Sequence, residues 1–185
     1  LVAIVDDNGQ QAFGKTKDPA YRAMNPMGLV PTLEEEDGWS AWESNTICRY
    51  LCNAHAPDSA LYPSEPRARA EVETWMDWQT SHLTAPLVTI FFTHIRTPEP
   101  ERDWAAEKQA RETAGRLWKI VDRALEGKRF LCGDHPTLAD MALCCWVHRW
   151  FALPIERPDL PNLARYYEAM KTRPGFVTHV ALPLE

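Results

Sequence analysis

NPMGLVPTL, at residues 25–33, and ESNTICRYL, at residues 43–51, are the two stretches that decide the fold. The first places a Val-Pro pair between a tight Pro/Gly turn and an apolar residue. Because Pro31 has no N–H, it cannot join the middle of a hydrogen-bonded sheet. The Val30–Pro31 pair is therefore predicted at the start of a strand or in a turn.

The second stretch predicts an amphipathic helix whose N-cap is Ser44. The apolar residues behind Ser44 repeat at helical spacing, and they are Ile47, Tyr50, Leu51 and Ala54. The first N–H groups of a helix are unsatisfied and partly positive, so they stabilise a ligand carboxylate. Glu43 adds an acceptor for a ligand ammonium. This pair of partners fits an α-amino acid end, although Ser44 alone is equally consistent with an ordinary capped helix.

Composition places the chain among globular proteins and excludes two classes of partner. The chain is 45% hydrophobic and 25% charged, which is ordinary for a globular protein. Its length of 185 residues suits one domain or two small ones. A net charge of −6 without a basic stripe argues against non-specific nucleic-acid binding. The sequence contains neither a membrane-spanning apolar run nor a signal-peptide pattern. We therefore expect a cytoplasmic protein.

The cysteines and histidines predict neither a disulfide framework nor a metal site. Cys48 and Cys52 share one helix face, Cys144 and Cys145 are adjacent, and no Cys-x-x-Cys pair occurs among the five cysteines. We interpret them as buried free thiols in a reducing compartment. The six histidines form no His-x-x-x-His or similar pattern, so we predict no metal.

The N-terminal third reads as an incomplete α/β layer, residues 1–56. It opens in an apolar β-type run at residues 1–5 without an initiator Met, which suggests a fragment or a missing leader. Asp18-Pro19 then predicts a helix start, 30–33 and 39–42 predict strands, and Ser44 begins a second helix. The resulting β-α-β-β-α order is the C-terminal part of a thioredoxin-like layer.

Residues 57–66 contain three prolines and predict a linker to an all-helical domain, residues 67–185. Pro86 is expected to kink or end the first long helix, and Asn162 to cap the last. The third helix is nearly all apolar and is predicted to be central and buried. The four predicted faces comprise Ala68, Val72, Trp75, Met76, Gln79 and Leu83; Ala114, Leu117, Trp118, Val121 and Leu125; Leu138, Met141, Ala142, Cys145, Trp146 and Arg149; and Leu163, Tyr166, Tyr167 and Met170.

Thr137 and Asp140 form a Thr-x-x-Asp capping box at the start of the third helix. The Thr side chain is expected to bond the N–H of the third helical residue, and the Asp carboxylate to reach back to the N–H of Thr137. A buried helix cannot rely on water for these donors, so the predicted role of the box is structural.

These motifs together resemble the glutathione transferases, in particular the bacterial cytosolic members. The Asn-Pro-x-Gly-x-Val-Pro-x-Leu run, the Glu-Ser-x-x-Ile-x-x-Tyr-Leu run and the Thr-x-Ala-Asp box stand in the family's order, and residues 61–80 are also similar. The resemblance implies a thioredoxin-like N-terminal domain, a helical C-terminal domain and glutathione as co-substrate. It implies a cis Pro31 that leaves the Val30 backbone for the cysteinyl part of glutathione, while Glu43 and Ser44 hold its γ-glutamyl end.

The chain departs from the family pattern at two places. Leu29 stands where the family often has a polar residue. The family's first strand and helix, about 25 residues by ordinary element lengths, are missing, and with them the catalytic Ser, Cys or Tyr. The residue that activates the thiol is therefore unassigned, and Tyr21, Tyr50 and Tyr62 are interpreted as packing residues.

The mechanism implied by the resemblance is attack of the glutathione thiolate on a small apolar electrophile. Lys15 and Lys17 are candidates for the glycyl carboxylate, or else solvated residues. Asp77 is a candidate for the γ-glutamyl amine, across the interface of an expected homodimer, or else a solvated or capping residue. The candidates for the electrophile pocket are Trp75, Trp78, His82 and Trp104, with the core the favoured place for each tryptophan.

Two further functions remain open at this point. A glutathione-dependent peroxidase, isomerase or reductive lyase shares the fold, and a Cys in the missing segment favours it. A non-catalytic interaction module of the same fold is the third possibility. Because Val30, Pro31, Glu43 and Ser44 are all present, the sequence favours at least glutathione binding.

Overall fold

The first described elements are short helices that lead into the turn before the sheet. The structure is a computed structural model and describes residues 15–184, apart from the side chain of Lys15. A 3-10 helix at Lys15–Lys17 precedes α1, Pro19–Met24. The Asp18 carboxylate accepts a hydrogen bond of 2.9 Å from the N–H of Ala20, so this helix begins as predicted. The predicted strand at residues 1–5 lies outside the described residues.

Two short antiparallel strands follow, β1 at Thr32–Glu34 and β2 at Ser40–Trp42. Thr32 lies opposite Trp42, and the Glu35 N–H closes the turn with a 2.9 Å bond to the Trp39 carbonyl. The strand predicted at 30–33 thus shifts toward the turn, and the strand predicted at 39–42 begins one residue later and ends as predicted. Since Pro31 has no N–H to donate, the ladder begins after it.

Helix α2, Ser44–His55, starts one residue earlier than predicted. Ser44 is its first residue, and the N-cap is Glu43, whose carbonyl accepts the first intrahelical bond from the Ile47 N–H at 2.9 Å. The prediction of Ser44 as N-cap is wrong because Glu43 turns the chain with a backbone φ of 71°. Such a conformation is uncommon for a residue other than Gly and cannot be read from the sequence pattern.

The chain divides between Pro57 and Asp58 into two compact units. Most of the stretch predicted as a linker, 57–66, therefore falls in the second unit. Its Tyr62 is buried, with its hydroxyl bonded to the Glu73 carboxylate and the Arg69 guanidinium 4.4 Å from its ring centroid. The Leu61 carbonyl accepts a 2.8 Å bond from the N–H of Leu138, far along the chain. These contacts anchor the stretch within the helical unit.

The second unit begins with a long helical path that runs through Pro86. Helix α3, Pro66–Trp78, passes through a π-helix at Gln79–Leu83 into α4, Thr84–Phe91, and a second π-helix at Phe92–Arg96. The helical path does not end at Pro86, so this part of the prediction is wrong, and the kink given as its alternative stays a prediction. A proline clashes with the carbonyl four residues before it, here that of His82. His82 lies in the first π-helix, where each carbonyl accepts a hydrogen bond from the N–H five residues later in the chain. This wider turn accommodates the proline ring.

The remaining elements complete a helical bundle. A 3-10 helix at Glu99–Glu101 is followed by α5, Trp104–Ala124; α6, Leu138–Ala152; α7, Pro161–Lys171; and α8, Pro174–His179. Helix α4 packs on α5, α3 packs on α6, and α7 contacts both α5 and α6. The largest fully buried side chains of the core are Trp118, Trp150, Tyr166, Met76, Leu83, Ile90, Leu125, Leu131, Leu143, Leu163, Met170 and Val72.

Helix α6 is central as predicted, but it buries a different face. The buried residues are Leu138, Ala139, Asp140, Leu143, Cys144, Val147, His148 and Trp150. The predicted face is wrong beyond Leu138: Cys145 is exposed, and Met141, Ala142, Trp146 and Arg149 are half-buried. Because almost every position on this helix is apolar, hydrophobic periodicity does not distinguish one face from another.

Helix α7 begins at Pro161 with Leu160 as its N-cap, so the prediction of Asn162 as the cap is wrong. One first-turn N–H, that of Leu163, is instead bonded by a side chain of another helix. The Asp122 carboxylate of α5 accepts 2.9 Å and 3.3 Å bonds from the Leu163 N–H and the Asn162 side-chain amide. Pro161 fits the first helical position because it needs no acceptor there.

The capping box at α6 is present and is tied to the preceding loop. Asp140 is fully buried and accepts from the Thr137 N–H at 2.7 Å, the Thr137 hydroxyl at 3.1 Å and the Leu131 N–H at 3.1 Å. Burial raises the pKa of this carboxyl, while the bonds from Thr137 and Leu131 act to lower it. One side chain thus joins the start of the central helix to the Phe130–Gly133 turn.

Replacement of Asp140 is expected to destabilise the helical unit strongly. Asp140→Ala leaves buried donors without acceptors and is expected to lower the free energy of unfolding by about 3 kcal/mol or more. Urea denaturation followed by circular dichroism measures this. The pKa of Asp140 is higher in the folded state than in the unfolded state. Its contribution to stability is therefore complete below the unfolded-state pKa and is lost as the pH rises through the folded-state pKa. The difference in the free energy of unfolding between wild type and Asp140→Ala should thus widen on acidification.

Asp134→Ala is the matched control, because Asp134 is exposed in the same loop. It is expected to change the free energy of unfolding by no more than about 0.5 kcal/mol. Equal losses in the two variants would contradict a specific role for Asp140.

Candidate functional site

The two stretches that decide the fold meet in the first unit as an exposed turn followed by a helix N-terminus. The Val30–Pro31 peptide bond is cis. Val30 is 63% exposed and Leu29 60% exposed, so the backbone on both sides of the bond lies at the surface. An accessible extended segment of this kind can pair with the backbone of a peptide ligand.

A buried polar network holds the backbone just before Val30. The Leu29 carbonyl accepts a 2.5 Å bond from the Tyr21 hydroxyl and a 2.7 Å bond from the Asn25 side-chain amide. Both donors are nearly inaccessible, Tyr21 at 5% and Asn25 at 2% exposure. Because a buried polar group without a partner is costly, this arrangement fixes the position of the carbonyl.

Thr32 closes the network on the other side of the turn. Its hydroxyl donates to the Tyr21 oxygen at 2.7 Å and accepts from the Asn25 amide at 3.1 Å, while the Asn25 oxygen accepts from the Met27 N–H at 3.1 Å. The interpretation of Tyr21 as a packing residue was therefore incomplete, and Asn25 was overlooked. The available signal was an Asn directly before Pro26 in the turn motif.

Gly28 lets the same turn pack closely on the preceding segment. Its φ is 63°, and a Cβ at this position would lie 3.0 Å from the Thr16 carbonyl oxygen. A larger residue would thus meet both backbone strain and a close contact. The Asn and the Gly of the Asn-Pro-x-Gly motif therefore each have a geometric reason.

The N-terminus of α2 presents Glu43 and Ser44, which are both exposed. The Glu43 side chain does not cap the helix. The first-turn N–H groups of a helix have no intrahelical acceptors and carry partial positive charge. This end of α2 is therefore suited to a ligand carboxylate, with the Glu43 carboxylate beside it for a cationic group.

Tyr50 and Glu35 join α2 to the turn between the strands. The Tyr50 hydroxyl donates to Glu35 Oε1 at 2.6 Å, and His55 Nε2 lies 3.5 Å from the same oxygen. The hydrogen bond to Glu35 raises the pKa of Tyr50. A phenol with a raised pKa in such a bond holds its proton more firmly, and the Trp39 ring 4.5 Å away supports the packing interpretation.

The further predicted contact residues are exposed where they are described. Lys17 ends the first 3-10 helix and is exposed, while the side chain of Lys15 lies outside the described part. Asp77 is exposed on α3, in the second unit. The roles of these three residues stay predictions.

The prediction that the tryptophans proposed as pocket walls lie in the core is wrong. Trp75 and Trp78 are half-buried, His82 is exposed and Trp104 is 49% exposed. The centroids of Trp75 and Trp78 are 5.4 Å apart, and His82 follows Trp78 at 6.3 Å. Trp104 instead packs edge-on against His94 at 5.4 Å. Because α3 and α5 are amphipathic, these three tryptophans extend beyond the buried stripe, whereas Trp118 of α5 lies within it.

The cysteines are free, but they are not uniformly buried. Cys52 and Cys144 are buried, Cys48 and Cys132 are half-buried and Cys145 is exposed, so the prediction of buried thiols is wrong for Cys145. Among the described residues, no cluster of three or more His, Cys, Asp or Glu side chains is arranged to hold a metal ion. None of the helices in the described part is long and apolar enough to cross a membrane.

Family models match both parts of the chain. Residues 11–59 match the N-terminal domain of glutathione S-transferase, and residues 88–169 match its C-terminal domain. These matches confirm the resemblance and the fold class, an α/β N-terminal domain of thioredoxin-like type followed by a helical domain.

Curated relatives and solved structures agree with the family models. Glutathione S-transferase GstB of Escherichia coli K12 is 34% identical over 173 residues, which cover 93% of this chain and 83% of that protein. Elongation factor 1-gamma of Danio rerio is 29% identical and matches over 37% of its length. A theta-class glutathione S-transferase of Xanthomonas axonopodis pv. citri, solved with glutathione bound, is 41% identical over 94% of this chain and 83% of its own, with a TM-score of 0.88. The protein belongs to the glutathione S-transferase family.

Proposed function

We propose that the protein is a glutathione transferase that joins the glutathione thiol to small apolar electrophiles. The observation that carries this proposal is the combination of a fixed, exposed backbone at Val30 with the exposed N-terminus of α2 in the same unit. The solved Xanthomonas relative with glutathione bound supports the choice of ligand. The relative GstB supports a transferase activity.

Each part of glutathione has a suitable partner in the first unit. The Val30 backbone is proposed to pair with the cysteinyl residue as a short added strand. The γ-glutamyl carboxylate is proposed to bind the Ser44 hydroxyl and the first N–H groups of α2, and its ammonium to bind Glu43. Lys15 and Lys17 are proposed as additional contacts in this unit, and Asp77 of the second unit as a contact made across the interface of a homodimer.

The reaction requires the thiolate form of glutathione. A free thiol has a pKa of about 8.5, so a donor near the sulfur increases the thiolate fraction at neutral pH. The thiol proton passes to solvent or base, and the thiolate sulfur then forms a bond to the electrophilic carbon. In a substitution the leaving group, such as a halide, departs with the electron pair of its bond to that carbon; in an addition the electron pair of the π bond moves to the neighbouring atom, which takes up a proton. The group that stabilises the thiolate is unassigned. We further propose that the protein acts as a cytoplasmic homodimer.

A non-catalytic binding module is the second candidate function. The similarity to elongation factor 1-gamma favours it, because that relative matches this chain and its name is not that of an enzyme. A peroxidase, isomerase or reductive lyase that uses glutathione is a third possibility within the same fold. Binding and turnover experiments separate these candidates.

The helix N-terminal site is tested by Ser44→Ala. Loss of one hydroxyl contact to a charged ligand is expected to weaken glutathione binding about fivefold to tenfold in calorimetric titration. The control Ser64→Ala removes an exposed serine of the second unit and should leave the affinity unchanged. Wild-type affinity in Ser44→Ala would remove this residue from the site.

The role of the buried network is tested by Tyr21→Phe. This change deletes one donor to the Leu29 carbonyl and leaves the Thr32 hydroxyl without its acceptor, so glutathione affinity is expected to fall about fivefold. Tyr50→Phe is the matched control, because it removes a hydroxyl that bonds Glu35 in the same unit. Similar losses in both variants would mean that general destabilisation explains the effect.

Turnover is tested by mixing wild-type protein, glutathione and an activated aryl halide and recording product absorbance. A transferase is expected to accelerate thioether formation well above the uncatalysed rate. Glutathione binding without acceleration against a panel of such electrophiles would favour the binding-module function. Reduction of an organic hydroperoxide in place of conjugation would favour the peroxidase.

A further inference from the structure

A cleft of about 500 Å³ lies in the second unit between α5 and the loop that precedes α7. Its lining residues are Arg111, Glu112, Gly115, Arg116, Lys119, Glu156, Arg157 and Pro158. The buried Gly115 lets the loop approach the helix, since a Cβ at this position would already lie 3.5 Å from the Pro158 ring. The size is within the range of small-molecule sites.

Four cationic side chains line this cleft in a chain whose net charge is −6. Arg111 is committed to internal contacts, since its Nε lies 3.3 Å from Glu107 Oε1 and its Nη1 donates to the Glu156 carbonyl at 3.3 Å. The other three cations form no ion pair with a carboxylate of the described residues. The cleft therefore holds an excess of cations over carboxylates, four against two, and three of the cations lack a direct ion pair within the described part.

Arg157 has more donors than the protein satisfies. Its Nη2 donates to the Leu153 carbonyl at 2.6 Å, and its guanidinium lies 5.8 Å from the Phe151 centroid. Its Nε is buried and has no hydrogen-bond partner. Burial lowers the pKa of this guanidinium, as expected for a cation removed from water without a counter-charge. An anion in the cleft would offset that desolvation.

The two carboxylates of the cleft, Glu112 and Glu156, repel an anion. A ligand that binds there must therefore gain from several cations at once. A polyanion that contacts Arg116, Lys119 and Arg157 gains at each of them. Guanidinium groups match phosphate oxygens with paired donors, and an ammonium adds a point charge.

We propose that the cleft between α5 and the loop at 156–158 binds a small molecule carrying two or more phosphate groups, with Arg116, Lys119 and Arg157 as its ligands. This site belongs to the second unit and is independent of the proposed glutathione site in the first. Either site can be lost in a variant while the other still binds.

The test is calorimetric titration of the wild-type protein with inorganic tripolyphosphate, ATP and orthophosphate. Tripolyphosphate and ATP are expected to bind at least about tenfold more tightly than orthophosphate, because each phosphate group adds a charge-assisted contact. Equal affinity for tripolyphosphate and ATP identifies the phosphate chain as the ligand, whereas tighter ATP binding identifies a nucleotide. Absence of saturable binding to both at millimolar concentration overturns the proposal.

Charge-neutralising variants locate the binding. Arg116→Gln and Lys119→Gln alter exposed residues and are each expected to weaken tripolyphosphate binding about fivefold or more, while Glu112→Gln is expected to tighten it. Arg123→Gln makes the same charge change at an exposed position of α5 outside the cleft and should leave the affinity within about twofold.

Two results from these variants would overturn the proposal. An equal loss of affinity in Arg123→Gln would mean general attraction of anions to the surface. Binding of a polyglutamate peptide without binding of tripolyphosphate would assign the cleft to an acidic protein segment instead of a phosphate ligand.

Discussion

The buried carboxylate of Asp140 is the constraint on which the helical unit depends. It accepts bonds from Leu131 and Thr137, so it fixes the start of α6 against the loop before it. The adjacent Leu138 N–H bonds the Leu61 carbonyl and thereby ties in the segment that enters the unit. Because α3, α4 and α7 all contact α6, the position of this one helix start determines how the others pack.

The first unit uses a similar device for a different purpose. Here buried side chains hold a main-chain carbonyl, that of Leu29, and the group left exposed is the backbone of Val30. A site made of backbone and a helix end needs few particular side chains at its surface. The residues that shape this backbone, Tyr21 and Asn25, are buried, so substitutions at the surface leave its support in place.

The sequence predicted features that depend on neighbours along the chain. The Thr137–Asp140 box and the start of α1 follow from short motifs with a single satisfactory hydrogen-bond pattern. It failed where the deciding contact is distant or absent from the pattern. Hydrophobic periodicity could not identify the buried face of the nearly all-apolar α6. The Asp122 carboxylate that bonds the first turn of α7 lies some forty residues away in the sequence. No residue pattern indicates the backbone turn at Glu43.

At Glu43 the backbone conformation opposes stability, and its carboxylate is the group proposed to bind the ligand ammonium. A residue with a side chain held at φ 71° costs on the order of 1 kcal/mol relative to glycine, which adopts this conformation freely. Selection for folding alone would therefore replace this residue, and a carboxylate there is consistent with selection for binding. A thermostabilised version of this protein obtained without ligand would drift toward glycine at this position, and under the proposed function it would lose glutathione affinity as it gained stability.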